Sequence, residues 1–399
     1  MSSLKVLYSF PQWVARSGGV SKTAYYQVEG LVKQGVQVTL YCGALLDPVK
    51  GLHSHRDTLK FRQLKLPLGL LGTRRTASLH DRIVAADLPR IHNRDKIDIV
   101  HCWPSGALQT LKAAQKLGIK TVLERPSAHT GYVFEVTGNE CKKLGLKLSR
   151  SHYAALNKKA LIREESEFSV ADKLLCPSEF VVKTFLDKGF NEERMLRHQY
   201  GADPDVFSAT EQDSNKNGKS PFTIVYVGDC FPLKGLHFAL QAWVKSRASK
   251  TGRFLICGRF MPQYQKLLKD YLAHPTVKCM GFVQDVQKIM ANSDTLILPS
   301  LGEGSALVTY EARACGCVLL VSEAAGAICQ HMGDALVHVP GDADILRRHI
   351  DLLASDAQLF SRLRTNSLTG IGELTWDKAA ESLVRAYREC LNSTNKENQ

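Results

Sequence analysis

Short apolar runs alternate with amphipathic segments along most of the chain. Residues 4–8 and 36–41 are largely apolar, and between them residues 23–33 place apolar side chains at helical spacing. A short apolar run predicts a buried strand, and a repeat of about 3.6 residues predicts a helix. Two strands joined by a helix form a βαβ unit, so the chain is predicted to begin as an α/β fold.

The same alternation continues toward the C-terminus. Further strands are predicted at residues 98–101, 120–124, 171–178, 223–227, 254–257, 276–278 and 295–299, and a last amphipathic helix at residues 376–391. Segments 171–178 and 293–300 repeat one pattern, in which a small residue and Asp precede apolar residues, Pro and Ser. Ser178 and Ser300 each precede a predicted helix and are candidate caps. The repeat favours two similar, doubly wound domains.

A polar, turn-rich stretch divides the chain near its middle. Residues 200–205 contain Gly, Asp and Pro, and residues 211–220 are almost entirely polar. A chain of 399 residues is long enough for two domains, each with its own core. We therefore expect an N-terminal domain at residues 1–200, a second domain at 201–375, a final helix at 376–391 and a polar tail at 392–399.

Composition narrows the class of protein. Hydrophobic residues make up 44% of the chain and charged residues 23%, as in an ordinary globular protein. No apolar run approaches the roughly 20 residues that span a bilayer, and the N-terminus has the pattern of a strand instead of a signal peptide. The 11 cysteines show no Cys-x-x-Cys pair, so reduced thiols and a cytoplasmic location are expected.

Positive charge is concentrated in the N-terminal half. The formal net charge is +13, and residues 1–200 hold 31 Lys and Arg against 18 Asp and Glu, which accounts for the whole excess. A basic surface attracts anionic lipid, nucleic acid or an anionic substrate, although it is equally compatible with a simply solvated face. No nucleic-acid recognition motif accompanies the charge, so nucleic acid is not expected as a partner.

The most informative segment follows the strand predicted at residues 295–299. A glycine-bearing loop, residues 301–306, connects that strand to a predicted helix. Backbone N–H groups and the helix dipole attract anions at such a junction. Glu303 and Glu311, with seven residues between them, would repel a bare phosphate. They favour a ligand that also carries hydroxyls, such as a nucleotide-sugar.

Several short motifs follow one another in a recognisable order. They are Gly18-Gly19-Val20, residues 198–207, Lys234-Gly235, Gly281-Phe282-Val283, Glu303-x7-Glu311, and Trp376 at the start of the last helix. In this order they resemble the retaining glycosyltransferases of GT-B fold, and in particular glycosyltransferase family 4, also called group 1. The turn after the first strand lacks Gly-x-Gly-x-x-Gly, so a nicotinamide cofactor is not favoured.

The resemblance implies both a fold and an activity. The fold is α/β, with two doubly wound Rossmann-like domains facing a cleft and a C-terminal helix that crosses back to the first domain. The N-terminal domain would bind the acceptor, which is a glycan, a lipid-linked sugar or a small molecule, as in polysaccharide biosynthesis. The C-terminal domain would bind a UDP- or GDP-sugar, whose hexosyl unit is transferred with retained configuration. No metal or other cofactor is expected.

The resemblance also assigns roles in the C-terminal domain. Glu311 would hold the ribose and Lys234 the diphosphate. Glu303 would contact the sugar or stabilise the positive charge of an oxocarbenium-like transition state, so it and Lys234 are catalytic candidates. The other predicted donor contacts are Gly19, Arg259, Phe282 and the backbone amides of Ser305, Ala306, Leu307 and Val308.

His129 is the candidate catalytic residue of the N-terminal domain. It follows the strand predicted at residues 120–124, where the resemblance places a histidine facing the sugar. Glu124 and Arg125 compete for the same place. His101 is a second choice that is more simply explained as a buried histidine.

Asp229 departs from the family pattern, because an arginine usually stands at this position beside the diphosphate. Arg259 is the candidate substitute. Two other functions therefore stay open, a nucleotide-sugar epimerase or hydrolase of the same fold and a non-catalytic sugar-binding scaffold. The presence of Glu303, Glu311 and Lys234 argues against the scaffold.

Residues 60–82 combine basic and apolar side chains. They predict either an ordinary surface loop or an element that contacts an acceptor or an anionic membrane, with leucines inserted and Arg74 and Arg75 near phosphate head groups. Peripheral contact with the inner face of a membrane is therefore expected alongside the cytoplasmic location. The motifs do not determine the donor base and sugar, the acceptor, the linkage or the oligomeric state.

Overall fold

The computed structural model of the chain describes residues 3–61, 64–65, 72–149, 152–209 and 221–392. Within these residues, parallel strands form one sheet of seven strands and one of six, and a short antiparallel pair lies apart from both. Helices pack on the two sheets. The predicted α/β class with two doubly wound units is confirmed.

The N-terminal sheet is built by the first half of the chain. The strands here are β1 (Lys5–Val14), β2 (Gln37–Leu45), β3 (Ser54–Asp57), β4 (Lys60–Phe61), β5 (Leu64–Lys65), β6 (Ile99–Cys102), β7 (Lys120–Glu124), β8 (Lys173–Cys176) and β9 (Met195–Arg197). The sheet has the order β3-β2-β1-β6-β7-β8-β9, whereas β4 and β5 form the separate pair. In its register, Val6 lies opposite Val38 of β2 and Ile99 of β6.

Helices cover both faces of this sheet. They are α1 (Gly19–Lys33), α2 (Thr73–Asp95), α3 (Leu108–Lys116), α4 (Thr130–Lys143), α5 (Lys158–Val170) and α6 (Glu179–Leu186). Val6 and Tyr8 belong to the core on one face and Leu7 to the core on the other. A strand buried on both faces must be apolar at successive positions, which explains the continuous apolar runs in the sequence.

The C-terminal sheet repeats this plan. Its strands are β10 (Thr223–Val227), β11 (Arg253–Cys257), β12 (Val277–Gly281), β13 (Thr295–Leu298), β14 (Val318–Ser322) and β15 (Ala335–His338), in the order β12-β11-β10-β13-β14-β15. Its helices are α7 (Leu236–Lys245), α8 (Pro262–Leu267), α9 (Lys269–Leu272), α10 (Val286–Ala291), α11 (Leu307–Ala314), α12 (Ala343–Ser355) and α13 (Ala357–Thr369).

The last helix, α14 (Trp376–Asn392), returns to the N-terminal unit. Its Tyr387 is buried in one core with Tyr8 of β1. At its start, the Trp376 ring stacks on Tyr26 of α1 with 5.0 Å between centroids and 5° between planes. The predicted crossing helix is confirmed.

β1 is longer than predicted, and one of the two predicted serine caps is absent. β1 extends to Val14, well past the predicted end at residue 8, because pairing with β2 continues beyond a register shift between Phe10 and Trp13. Ser178 caps α6 by accepting a hydrogen bond from the amide of Val181, as predicted. Ser300 caps no helix, because the next helix begins only at Leu307 and the Ser300 hydroxyl bonds a nearby carboxylate instead.

Among the described residues, none of the helices combines the length and the apolar character needed to cross a membrane. The basic segment at residues 60–82 is described only in part, since residues 62–63 and 66–71, including Leu68, Leu70 and Leu71, lie outside the description. From Thr73 onward this segment is helix α2. Membrane contact through it stays a prediction.

Candidate functional site

A cavity of about 980 Å³ lies in the cleft between the carboxyl ends of the two sheets. Its wall combines the turn from β1 to α1 with the segments that follow β10, β11, β12 and β13. Strand ends of parallel sheets leave backbone groups free for a ligand, so a binding site is expected here. The predicted residues on this wall are Gly19, Lys234, Arg259, Phe282, Glu303, Ser305, Ala306, Leu307, Val308 and Glu311.

The loop after β13 reaches across the cleft to the N-terminal unit. Gly304 approaches so closely that a Cβ atom there would stand 2.1 Å from the carbonyl oxygen of Pro126. The Ala128 amide donates to the Glu303 carbonyl at 3.1 Å, and the Ser178 hydroxyl donates to the Gly304 carbonyl. A residue without a side chain is therefore required at this contact.

Glu303 is held by a lysine. Lys234 ends the turn Pro232–Lys234, and Gly235 follows in the left-handed region with φ 68°. The Lys234 ammonium donates to Oε1 of Glu303, which also accepts a hydrogen bond from the Ser300 hydroxyl at 3.0 Å. Burial opposes the charge on Lys234, but the combined attraction of Glu303, Tyr153 and Asp229 outweighs it and the pKa of Lys234 is raised.

Glu311 forms a second pair with a lysine, and this pair spans the cleft. Its Oε1 accepts from Nζ of Lys22 on α1 at 2.7 Å. The two side chains are 14% and 16% exposed, and the Lys22 ammonium also lies 4.9 Å from the ring centroid of Phe207. Within the described residues, the contacts of Glu311 use one carboxylate oxygen, so the other can accept a hydroxyl.

Two helix N-termini open onto the cavity. α1 begins at Gly19 and α11 at Leu307, and neither has a side-chain cap. The first amides of a helix lack an intrahelical acceptor, so those of Leu307 and Val308 suit an anion. The Ala306 amide already donates to the carbonyl of Ala325 at 3.2 Å, so its predicted role as a ligand donor does not fit this geometry.

An aromatic ring and a guanidinium form another part of the wall. Phe282 is 69% exposed, and the guanidinium carbon of Arg259 lies 4.7 Å from its ring centroid. Asp229 also lines the cavity, so the position that departs from the family pattern faces the ligand space. Arg259 is on the same wall, as a substitute for the missing arginine must be.

Sequence comparison assigns both halves of the chain to one group of enzymes. Residues 17–206 match the family described as Glycosyltransferase Family 4, and residues 221–356 match Glycosyl transferases group 1. The chain belongs to the group 1 glycosyltransferase family. The D-inositol 3-phosphate glycosyltransferase of Streptomyces bingchenggensis is 31% identical over 266 residues, which are 58% of this chain and 56% of that protein.

A second relative of the chain comes from Campylobacter jejuni. It is an N,N'-diacetylbacillosaminyl-diphospho-undecaprenol alpha-1,3-N-acetylgalactosaminyltransferase, 30% identical over 126 residues, which are 31% of this chain and 34% of the relative. The chain thus aligns with about half or less of the length of these curated relatives. Among solved structures, Anabaena HepE in complex with UDP-glucose has a TM-score of 0.65 at 16% identity, covering 98% of this chain and 100% of that one. This likeness confirms the predicted GT-B fold.

In the structure, His129 is a helix cap. Its Nδ1 accepts from the Gly131 amide at 3.1 Å at the start of α4, and its ring packs against Phe168, Phe185 and Phe190. The residue is 2% exposed, it is not part of the cavity wall, and burial lowers its pKa to about 4. The geometry does not place the predicted catalytic histidine in contact with a sugar in the cavity.

The competing N-terminal candidates are also buried. The Glu124 carboxylate accepts from the Gln27 side chain at 3.0 Å and the Tyr200 hydroxyl at 2.9 Å, and His101 lies beside it. Burial lowers the pKa of His101 to about 3, so its ring is neutral. Arg125 is 1% exposed. Glu124 thus joins β7 to the segment at residues 198–207, and none of the three residues lines the cavity.

Lys22 and Tyr153 also lie on the cavity wall, although the sequence did not single them out. Lys22 lies three residues after Gly19, one turn into α1, and this position after the glycine motif could have identified it as a residue of the wall. Tyr153 comes from the connection between α4 and α5, which carries no motif. Across the described ranges, no group of three or more His, Cys, Asp or Glu is placed to hold a metal ion. Metal independence stays a prediction.

Proposed function

We propose that the protein is an enzyme that transfers a hexosyl unit from a UDP- or GDP-sugar to an acceptor, with retention of the sugar's configuration. The observation that carries the proposal is that each carboxylate of Glu303-x7-Glu311 meets a lysine on the wall of one cavity. Cations suit a diphosphate, and carboxylates suit the hydroxyls of ribose and sugar. A nucleotide-sugar is the ligand that needs both.

Each part of the donor has a proposed partner. The open oxygen of Glu311 accepts the ribose hydroxyls. Lys234 and the amides at the start of α11 hold the diphosphate. The exposed ring of Phe282, with Arg259 over it, stacks on the base. Glu303 is left beside the sugar.

The proposed reaction uses these groups directly. The bond between sugar C1 and the phosphate oxygen breaks, and a bond from C1 to the acceptor oxygen forms. Lys234 and the amides of Leu307 and Val308 stabilise the negative charge on the departing diphosphate. Because Glu303 is engaged by Lys234 and Ser300, it serves as an electrostatic stabiliser instead of a covalent nucleophile. The acceptor attacks from the side of the leaving group, and its hydroxyl proton passes to the departing phosphate oxygen, which accounts for retention.

The acceptor is proposed to be a glycan or a lipid-linked sugar that enters from the N-terminal unit. The Campylobacter relative is named for a sugar on diphospho-undecaprenol. A few residues after Tyr153 in the chain, exposed Leu156 and Ile162 lie in the same segment as exposed Lys158 and Lys159, a combination that suits an anionic membrane surface. The protein would then touch the cytoplasmic face of a membrane peripherally. Co-sedimentation with vesicles tests this, and binding that ignores anionic lipid and salt would contradict it.

A thermal-shift experiment tests the proposed donor. Wild type, Glu311→Ala and Lys22→Met are each heated with UDP, GDP, UDP-glucose and GDP-mannose, because a ligand that binds only the folded state raises the melting temperature. We expect one nucleotide to stabilise wild type and not Glu311→Ala. Lys22→Met is the matched control, since it breaks the same ion pair but keeps the carboxylate, and it should still respond.

The other outcomes separate the alternative functions. Formation of free or inverted sugar without an acceptor would identify a hydrolase or an epimerase. Binding of a nucleotide-sugar without turnover on any acceptor would identify a sugar-binding scaffold. If no nucleotide stabilises the wild type, the proposed function is wrong.

A further inference from the structure

Tyr153 is an exposed aromatic side chain inside the cleft. In the described part of the chain, Tyr153 and Phe282 are the two most exposed Phe, Tyr or Trp side chains, at 63% and 69%. Both line the same cavity. Covering a large exposed ring with a ligand is favourable, because it removes apolar surface from water. Two such rings on one wall therefore indicate a ligand with two separate faces to cover.

The two rings stand beside different charged groups. Phe282 carries Arg259 over its face, whereas the Tyr153 ring packs on Phe231, which directly precedes the turn that ends at Lys234. The pKa of a tyrosine hydroxyl is ordinarily about 10. The hydroxyl is therefore protonated at neutral pH and able to donate a hydrogen bond. Tyr153 belongs to the end of the cavity where the diphosphate and the sugar are proposed to lie.

The Tyr153 ring is held in place before any ligand arrives. It stacks on His152 with 4.9 Å between centroids and 22° between planes, and it meets the edge of Phe231 at 5.7 Å and 76°. Phe231 is buried and belongs to the C-terminal unit, two residues after Asp229. A ring that is already ordered loses little side-chain entropy when a ligand covers it.

We infer that Tyr153 recognises the transferred sugar of the donor, with its ring against the apolar C–H face of the sugar and its hydroxyl bonded to a sugar hydroxyl. Tyr153 is thus a specificity-determining residue that the N-terminal unit contributes to the donor site. The inference rests on the proposed nucleotide-sugar function and deepens it. It predicts that the sugar and the nucleotide are recognised by different aromatic residues on opposite units of the protein.

Binding of a nucleotide with and without its sugar tests the inference. The full-length protein is titrated calorimetrically with UDP and UDP-glucose, and with GDP and GDP-mannose. The quantity compared is the ratio of the two dissociation constants within each pair. Tyr153→Ala should weaken binding of the nucleotide-sugar by roughly three- to tenfold, the size of one aromatic contact, and leave binding of the free nucleotide unchanged. Tyr153→Phe keeps the ring and should retain most of the sugar's contribution.

Phe282→Ala is the matched control, because it removes an equally exposed ring from the same wall. It should weaken the nucleotide and the nucleotide-sugar by the same factor and leave their ratio unchanged. Tyr153 itself is largely exposed, and unchanged binding of the free nucleotide shows that the variant is folded.

Three results would overturn the inference. If Tyr153→Ala changes neither dissociation constant, the ring does not contact the sugar. If it weakens nucleotide and nucleotide-sugar equally, the ring serves the diphosphate or the base, and the proposed function survives without the inference. If wild type binds none of the four ligands, both the proposed function and the inference fall.

Discussion

Gly304→Ala is predicted to hinder closure of the two units without damaging either of them. The added Cβ would stand 2.1 Å from the Pro126 carbonyl oxygen, 2.4 Å from its carbon and 2.9 Å from the amide nitrogen of Ser127. All three atoms are backbone atoms of the N-terminal unit, so no side-chain rotation relieves the clash. The loop after β13 must retreat instead.

The size of the effect follows from the contacts at this point. Real Cβ atoms essentially never approach within 3.0 Å, so the gap must widen by about 1 Å. That movement breaks the hydrogen bonds from the Ala128 amide to Glu303 and from the Ser178 hydroxyl to Gly304. Two hydrogen bonds at about 0.5–1.5 kcal/mol each sum to about 1–3 kcal/mol, or roughly a 5- to 150-fold shift toward the open arrangement.

Hydrogen exchange of the Ala128 amide measures this directly, because its acceptor lies on the other unit. We expect exchange at Ala128 to accelerate by that factor in Gly304→Ala, with a larger radius of gyration in small-angle scattering. Gly302→Ala is the control, since its Cβ would meet only side-chain atoms of Tyr132 and Leu233, at 3.3 and 3.5 Å. If Gly304→Ala has the same Ala128 exchange rate and the same radius of gyration as wild type, the reasoning is refuted.

Four further predictions concern single groups. His129→Asn keeps a capping oxygen but empties an aromatic pocket, so it should lower the melting temperature and retain turnover. Lost turnover with normal nucleotide binding would instead support a catalytic role for His129. Lys234→Met should weaken nucleoside diphosphate binding by about 10- to 150-fold in calorimetry, the loss of one charged hydrogen bond, and an unchanged affinity would contradict its role. Transfer activity should persist in EDTA, and its loss with recovery on added Mg²⁺ would show a metal requirement. Burial lowers the pKa of His80 to about 3, so the unfolded chain takes up its proton near pH 6.5 and the folded chain does not. The free energy of unfolding should therefore be highest above pH 6.5 and fall toward pH 3. In urea unfolding, His80→Asn should reduce the slope of this free energy against pH by about 1.4 kcal/mol per pH unit. An unchanged slope would show that His80 is not the source.

The amino-acid sequence by itself determined the class and order of the elements. The strands predicted at residues 120–124 and 223–227 coincide with β7 and β10, because the burial of a parallel strand is written in consecutive apolar residues. The glycine-bearing loop predicted at residues 301–306 likewise contains Glu303, and Glu311 lies on the helix that follows it. Such features depend on near neighbours along the chain.

Tertiary structure decided which side chains share the cavity. Lys22 and Glu311 are 289 residues apart, and only the closing of one unit on the other brings them to 2.7 Å. The same packing buries His129 in an aromatic pocket and leaves Tyr153 facing the cleft. The family resemblance had pointed to the histidine, whereas no motif marked the tyrosine. Hydrophobic periodicity encodes which face of an element is buried, whereas contacts between distant elements depend on how those faces fit together, and that information lies in the folded core.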